Sequence, residues 1–138
     1  MTTDIRIEIE PGTDTRNAEL FERYLEAWST SNVEQIAAMT HPEGVYEASY
    51  GPHPYGNRFT GPAEVKAGLE AMHAASTNRS STHDYHHTYL YGDRGFARWT
   101  SDYVDKDGVA GSVEGADFFE FKDGLVLAKL AYRKVVTG

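Results

Sequence analysis

The chain has 138 residues, no cysteine, and 13 basic against 21 acidic side chains, a formal net charge of −8. That length suits one domain spanning 1–138, large enough to fold without a disulfide or a structural metal. The negative charge argues against nucleic acid and against an anionic membrane surface, since both are bound first through basic residues. No apolar stretch is long enough for a membrane span or a signal-peptide core, so the expected location is the cytoplasm.

Ile5–Glu10 alternates apolar and charged residues, as a strand or ordered arm within 1–14 would, and Pro11-Gly12 ends it. A helix is expected from about Thr13–Thr15, with Leu20, Phe21, Tyr24, Leu25 and Trp28 along one stripe. A second, short helix follows, with Asn32 as N-cap and Gln35 three residues on. Val45–Tyr50 reads as a strand. Residues 51–61, with three glycines and two prolines, read as a long loop, and loops of that length are often functional. Pro62 suits the first turn of a third helix reaching about Ala75. Beyond Ser81 the period changes from 3.6 to 2. Strands are expected over Thr82–Tyr91, Phe96–Val104, Val109–Phe121 and Leu125–Val136, with Gly111 and Gly115 suggesting bulges. Helices first and an antiparallel meander after make an α+β plan, and a curved sheet over three helices encloses a concave apolar pocket.

Asp117 is the most informative position. Its strand places it with Val113, Gly115, Phe119 and Phe121 on one face, so the carboxyl sits among aromatic and small side chains. Burial disfavours the ion and raises such a pKa, and a neutral acid can donate a hydrogen bond to an oxyanion. The alternatives are a bulge at Gly115 that reverses the face, or a structural hydrogen bond in the core. Tyr24 lies on the apolar stripe of the first helix, where packing alone accounts for most tyrosines. Alternation places Glu47 with Val45 and Ser49, opposite Tyr46 and Ala48, which by itself favours an exposed carboxylate. His83, His86 and His87 lie close together. Their spacing gives little support for a metal site, but one could carry protons in a pocket. Of Arg98 and Trp99, on opposite faces, Trp99 is expected inward. No phosphate loop, nucleophile elbow or Cys–His pair is present.

Several stretches together carry a family likeness: Arg23-Tyr24-Leu25-Glu26-Ala27-Trp28 with Asn32–Ile36, Val45-Tyr46-Glu47, Gly61–Val65, and Ala116-Asp117-Phe118-Phe119-Glu120-Phe121 with Gly124. In these the chain resembles the nuclear transport factor 2 superfamily, and within it the SnoaL-like polyketide cyclases and ketosteroid isomerase. The resemblance runs from about Asn17 to Val136. It implies a cone-shaped, mostly antiparallel sheet around three helices, and a homodimer through the outer face of the last strands. It also implies cofactor-free proton chemistry on a small hydrophobic carbonyl compound of polyketide or steroid type. By that resemblance Tyr24 and a neutral Asp117 stabilise an enolate oxygen and Glu47 is the base, which moves Glu47 inward against the alternation. Substrate contacts are then expected from Trp28, Tyr50, Tyr55, His86, His87, Trp99 and Phe119. Two departures stand out: a glutamate rather than an aspartate as base, and an expanded loop after it. Arg98 is followed two residues on by Thr100, which argues against the epoxide hydrolases of this fold. The alternative function is a non-catalytic binding or assembly module.

Overall fold

The computed structural model describes residues 5–137. Along the chain run β1 (Ile7–Ile9), α1 (Thr15–Ser29), α2 (Val33–Ala38), β2 (Thr40–His53), β3 (Gly56–Thr60), α3 (Gly61–Ala75), β4 (Ser80–Ser81), β5 (Asp84–Tyr91), β6 (Arg94–Val104), β7 (Ala110–Lys122) and β8 (Leu125–Arg133). The strands form one sheet in the order β1-β5-β6-β7-β8-β2-β3, with β4 on β6. Pairs β1–β5 and β2–β8 are parallel and the rest antiparallel. The α+β architecture expected from the sequence is therefore present. Residues 1–4 of the N-terminal arm lie outside the described residues, and its ordered part adds β1 to the edge of the sheet.

Helix starts follow local chemistry. The Asp14 carboxylate accepts from the Arg16 amide at 2.8 Å, and Asn32 Oδ1 accepts from the Gln35 amide at 3.1 Å. Before α3 the Thr60 amide donates to Glu64 Oε1 at 3.1 Å, with Pro62 in the first turn. The predicted stripe of α1 is the one that packs: Leu20, Phe21, Tyr24 and Leu25 are buried. Phe21 meets Phe119 and Phe121 edge-on, at 4.8 and 5.2 Å between ring centres. The β7–β8 turn is the two-residue Asp123-Gly124, with φ of 56° and 74°, the left-handed pair that lets such a turn match strand twist.

Two expectations need correction. Residues 51–61 are not a loop. The stretch is the end of a hairpin in which β2 runs on to His53 and β3 returns from Gly56. Its prolines are tolerated because this end extends past the last β2–β8 pair, Glu47 with Leu130, where no second neighbour needs their amides. Nor do Gly111 and Gly115 make bulges, since β6 and β7 pair in unbroken register from Arg94–Glu120 to Val104–Ala110. Gly115 instead makes room. A Cβ there would overlap the Trp99 ring and the Tyr132 carbonyl. Gly115→Ala is therefore expected to cost about 1–3 kcal/mol by overpacking. It should also displace Trp99, read as a change in tryptophan emission alongside a lower urea midpoint.

The irregularities lie elsewhere. On β5 the pairing shifts by one residue between His86 and Thr88, with His87 at φ 51°. On β8, Phe121 pairs with Val126 but Glu120 pairs with Ala128, leaving Leu127 as the extra residue. Each shift reverses which side chains face the helices beyond it, because faces alternate with period 2. These two bulges decide the composition of the site.

Candidate functional site

On the helix-facing side of the sheet, residues opposite one another across β6, β7 and β8 are Trp99, Gly115 and Arg133, then Ala97, Asp117 and Ala131, then Gly95, Phe119 and Lys129. Asp117 is 0% exposed, as the β7 alternation predicts. The Trp99 indole N–H donates to Asp117 Oδ1 at 3.0 Å. Lys129 Nζ lies 3.2 Å from Asp117 Oδ2. Lys129 is itself only 2% exposed, and its ammonium sits 3.7 Å over the Trp28 ring and 5.0 Å from the centre of the Tyr46 ring. Without the bulge at Leu127, period 2 from Val126 would turn Lys129 to the outer face.

This pair forms one wall of a cavity of about 420 Å³ that Trp28, Tyr46, Met72, His83, Trp99 and Tyr103 also line. Ser49, Asn78, Ser101 and Arg133 add polar groups. The volume lies toward the small end of ligand cavities, roughly 300–1,000 Å³.

Electrostatics follow from dryness. Burial pushes the Asp117 pKa up, against the lowering by the Lys129 charge, the Trp99 bond and the Lys129 contact. Burial pushes the Lys129 pKa down, against the raising by Asp117. Both directions favour the uncharged partners, as expected where two ions leave water together. His83 packs 4.6 Å from Trp99 and 4.8 Å from Tyr85, ring centre to ring centre. Its pKa is lowered to about 3, first by burial and then by the Lys129 charge. It is neutral at pH 7, and its buried Nε2 has no hydrogen-bond partner. Tyr24, Tyr46 and Tyr85 all have raised pKa values, from burial above all, with the Asp117 carboxylate adding to it. For Tyr24 the nearby Trp28 indole opposes the rise, although that indole N–H makes no aligned hydrogen bond. These phenols therefore stay protonated as donors, and the Tyr85 hydroxyl has no partner.

The expected site residues divide. Asp117, Trp28 and Trp99 line the cavity. Tyr24 and Phe119 are buried beside it, their rings edge to face at 6.1 Å. Glu47 does not line this cavity. Tyr46 and Ala48 face the core, and Glu47 turns the other way to pair with Arg58 at 2.7 Å. The face is the one alternation gives, because no bulge separates Tyr46 from Ala48, although the carboxylate is 16% exposed rather than free in solvent. With Tyr55, Glu47 lines a neighbouring cleft of about 400 Å³, which shares Ser49, Ala131 and Arg133 with the first cavity. Tyr55 stacks on His53 and carries the Arg58 guanidinium 3.8 Å from its centre, while Tyr50 is exposed on the same hairpin. Neither tyrosine reaches the inner cavity, because both sit past the point where β2 leaves the sheet's interior.

His86 and His87 are also misplaced by the sequence reading. His86 faces out by alternation from the buried Tyr85 and the β5 bulge turns His87 out as well, so that their Nδ1 atoms lie 2.9 Å apart and His86 Nε2 is 2.9 Å from Thr100 Oγ1. His83 is the cavity histidine instead. Lys129 was missed altogether. Its one signal in the sequence is position: a lone lysine inside the apolar run Leu125–Ala131.

We take the inner cavity rather than the Glu47 cleft as the site. It combines buried charge, orphaned polar atoms and aromatic walls, whereas the Glu47 carboxylate is already satisfied by Arg58, whose side chain is 45% exposed. Among the described residues no group of three or more His, Asp or Glu side chains is placed to hold a metal ion, and no helix is long and apolar enough to cross a membrane.

Comparison with known proteins agrees with this architecture. An NTF2-like protein of unknown function from Mesorhizobium loti is 24% identical, with a TM-score of 0.71 over 93% of this chain and 99% of that one. A candidate polyketide cyclase from Xanthomonas campestris is 20% identical, with a TM-score of 0.66 over 86% and 90%. TerC, crystallised with polyporic acid, is 15% identical, with a TM-score of 0.69 over 86% and 92%. No curated protein matches significantly. The SnoaL-like domain matches residues 21–128, from inside α1 to just past the Leu127 bulge, and the chain belongs to that family.

Proposed function

We propose that this protein is an acid–base enzyme acting through an enolate on a compact, largely apolar carbonyl compound, using its own side chains. The observation that carries the reading is the buried Lys129–Asp117 pair set in the wall of an aromatic cavity. The substrate carbonyl oxygen lies toward Lys129, whose positive charge is worth most in a dry site, and His83 Nε2 offers a second polar contact. Asp117 takes the proton from the carbon next to the carbonyl, and its raised pKa brings it toward the strength such a base needs. This keeps Asp117 at the centre of the chemistry and replaces Glu47. Isomerisation, cyclisation and dehydration share this first step. Candidate polyketide cyclases with the same fold, and a neighbour crystallised with polyporic acid, support a ligand of this kind.

The test needs no knowledge of the product. Exchange of α-protons of small cyclic ketones for deuterium, followed by NMR, reports enolisation directly. Asp117→Asn is expected to slow exchange by about 10²–10⁴-fold, the usual contribution of a positioned base. Glu47→Gln should leave it unchanged. Exchange that persists in Asp117→Asn rejects the mechanism. A second reading, a binding module, is favoured by the mutual engagement of Asp117 and Lys129, which ties up both groups. It predicts ligand binding with no exchange in the native protein.

We further propose a homodimer through the outer sheet face. Tyr89, Phe96, Phe118 and Tyr132 contact one another in sequence across β5, β6, β7 and β8, at 5.3 to 6.2 Å between ring centres. Phe118 is 49% exposed and Tyr132 57%. The ion pairs Arg98–Glu114 and Arg94–Glu120 flank this aromatic row, as a polar rim flanks an apolar interface. Phe118→Glu is expected to give a monomer in sedimentation with the native fold retained. A native protein that sediments as a monomer overturns the proposal.

A further inference from the structure

We propose that Lys129 is a nucleophile: its amine captures the carbonyl carbon of the bound compound as an iminium, with Asp117 moving the protons. This rests on the inner cavity being the ligand site, and goes beyond it by making the contact covalent: the iminium takes over the positive charge that the ammonium offers the carbonyl oxygen, and the α-proton transfer then gives an enamine in place of the enolate.

Lys129 Nζ has few hydrogen-bond acceptors around it. An ammonium has three N–H donors, yet Nζ meets one carboxylate oxygen at 3.2 Å and otherwise two ring faces. Asp117 Oδ2 in turn has no aligned hydrogen bond. The contact is close enough for a proton to pass from Nζ to Oδ2. Burial acts in the same sense, lowering Lys129 and raising Asp117. Desolvation in an apolar pocket is the usual way a lysine amine becomes a nucleophile.

The steps balance. Lys129 gives a proton to Asp117, leaving an amine and a carboxylic acid. The amine lone pair forms the C–N bond as the carbonyl π pair moves to oxygen, and a proton shifts from nitrogen to oxygen to give a carbinolamine. Asp117 returns its proton to the hydroxyl, the C–O bond breaks, and water leaves. The net change is an ammonium plus a carbonyl going to an iminium plus water. Asp117 ends as a carboxylate beside the acidified α-carbon, ready for the proton transfer already described.

Acetylacetone is a suitable probe, because a 1,3-diketone condenses with an amine to a stable conjugated product that absorbs in the near ultraviolet. Both tryptophans of the chain, Trp28 and Trp99, line the cavity, so their emission reports occupancy independently of covalent reaction. The native protein is treated with acetylacetone and digested, and its lysines are compared by peptide mass. The expected result is saturable quenching with Lys129 modified about tenfold or more faster than Lys106 or Lys122, both exposed, because a desolvated amine is the better nucleophile. Benzaldehyde followed by borohydride should reduce an adduct onto the same residue, and Lys129→Arg should abolish both. Saturable quenching with Lys129 unmodified overturns covalent capture and leaves the cavity as a ligand site. Modification of exposed lysines alone overturns it as well. No quenching and no adduct overturn both the capture and the cavity reading. The peptide map is made on the native protein, so it decides even if the arginine variant does not fold.

Discussion

Lys129→Met is expected to destabilise the fold by about 3–5 kcal/mol at pH 7 to 8, because it leaves the Asp117 carboxylate buried and unpaired. The loss should shrink in acid, and the sign follows from linkage. Asp117 is raised above 3.8 in the fold even with Lys129 beside it, and without that charge it rises further. Between 3.8 and the folded value, the native state keeps a proton that the unfolded chain has released. Stability from this group therefore falls as pH rises, by about 1.4 kcal/mol per unit across that window. Urea midpoints of native and variant protein at pH 5 and pH 8 measure it. The difference between the two should be clearly smaller at pH 5. The double variant Asp117→Asn with Lys129→Met removes both charges, and the asparagine oxygen can still accept from the Trp99 indole. It should return to within about 2 kcal/mol of the native protein, since replacing a buried pair entirely is often neutral. A deficit for the single variant that is equal at both pH values rejects the buried-carboxylate account.

The second large effect is acid lability from His83. Its folded pKa is about 3 against 6.5 for the free side chain. Between those values the unfolded chain binds a proton that the native state refuses, so stability is full above 6.5 and is lost as pH falls toward 3. From pH 6.5 to pH 4 the loss is about 3 kcal/mol at about 1.4 kcal/mol per unit. The direction opposes that of an unpaired Asp117, so the two groups separate cleanly. His83→Phe keeps the ring contacts with Trp28, Tyr85 and Trp99 while removing the titration. Its urea midpoint should fall much less than the native one between pH 7 and pH 4. An unchanged slope would place the histidine in water rather than against the tryptophan.

Much of the fold was legible because it rests on local rules. The Leu20–Trp28 stripe, the Asn32 cap, Pro62 in a first turn and the Asp123-Gly124 hairpin each state their own structure within a few residues. The inward face of β7 was legible too, and with it the burial of Asp117, because Val113 to Phe121 alternates without interruption and the β6–β7 register is unbroken. Trp99 followed from the same reasoning on β6. At Glu47 the alternation gives the face and the likeness to ketosteroid isomerase points the other way. A three-residue word around a functional position says which segment is shared and does not say which way its side chain turns.

The bulges are what the sequence withheld. His87 and Leu127 are ordinary residues in their strands, and no turn residue marks either as extra. A bulge is set by how neighbouring strands must twist and meet, which depends on the whole sheet. One added residue in β5 moved His87 to the outside, while His86 faces out by simple alternation from the inward His83 and Tyr85. One in β8 brought Lys129 against Asp117. The chain by itself thus determined the element order, the helix faces and a carboxyl among aromatic rings, because each follows from spacing along a single segment. Only the tertiary structure decided that a lysine answers that carboxyl, because strand phase is fixed by pairing between segments and not within any one of them.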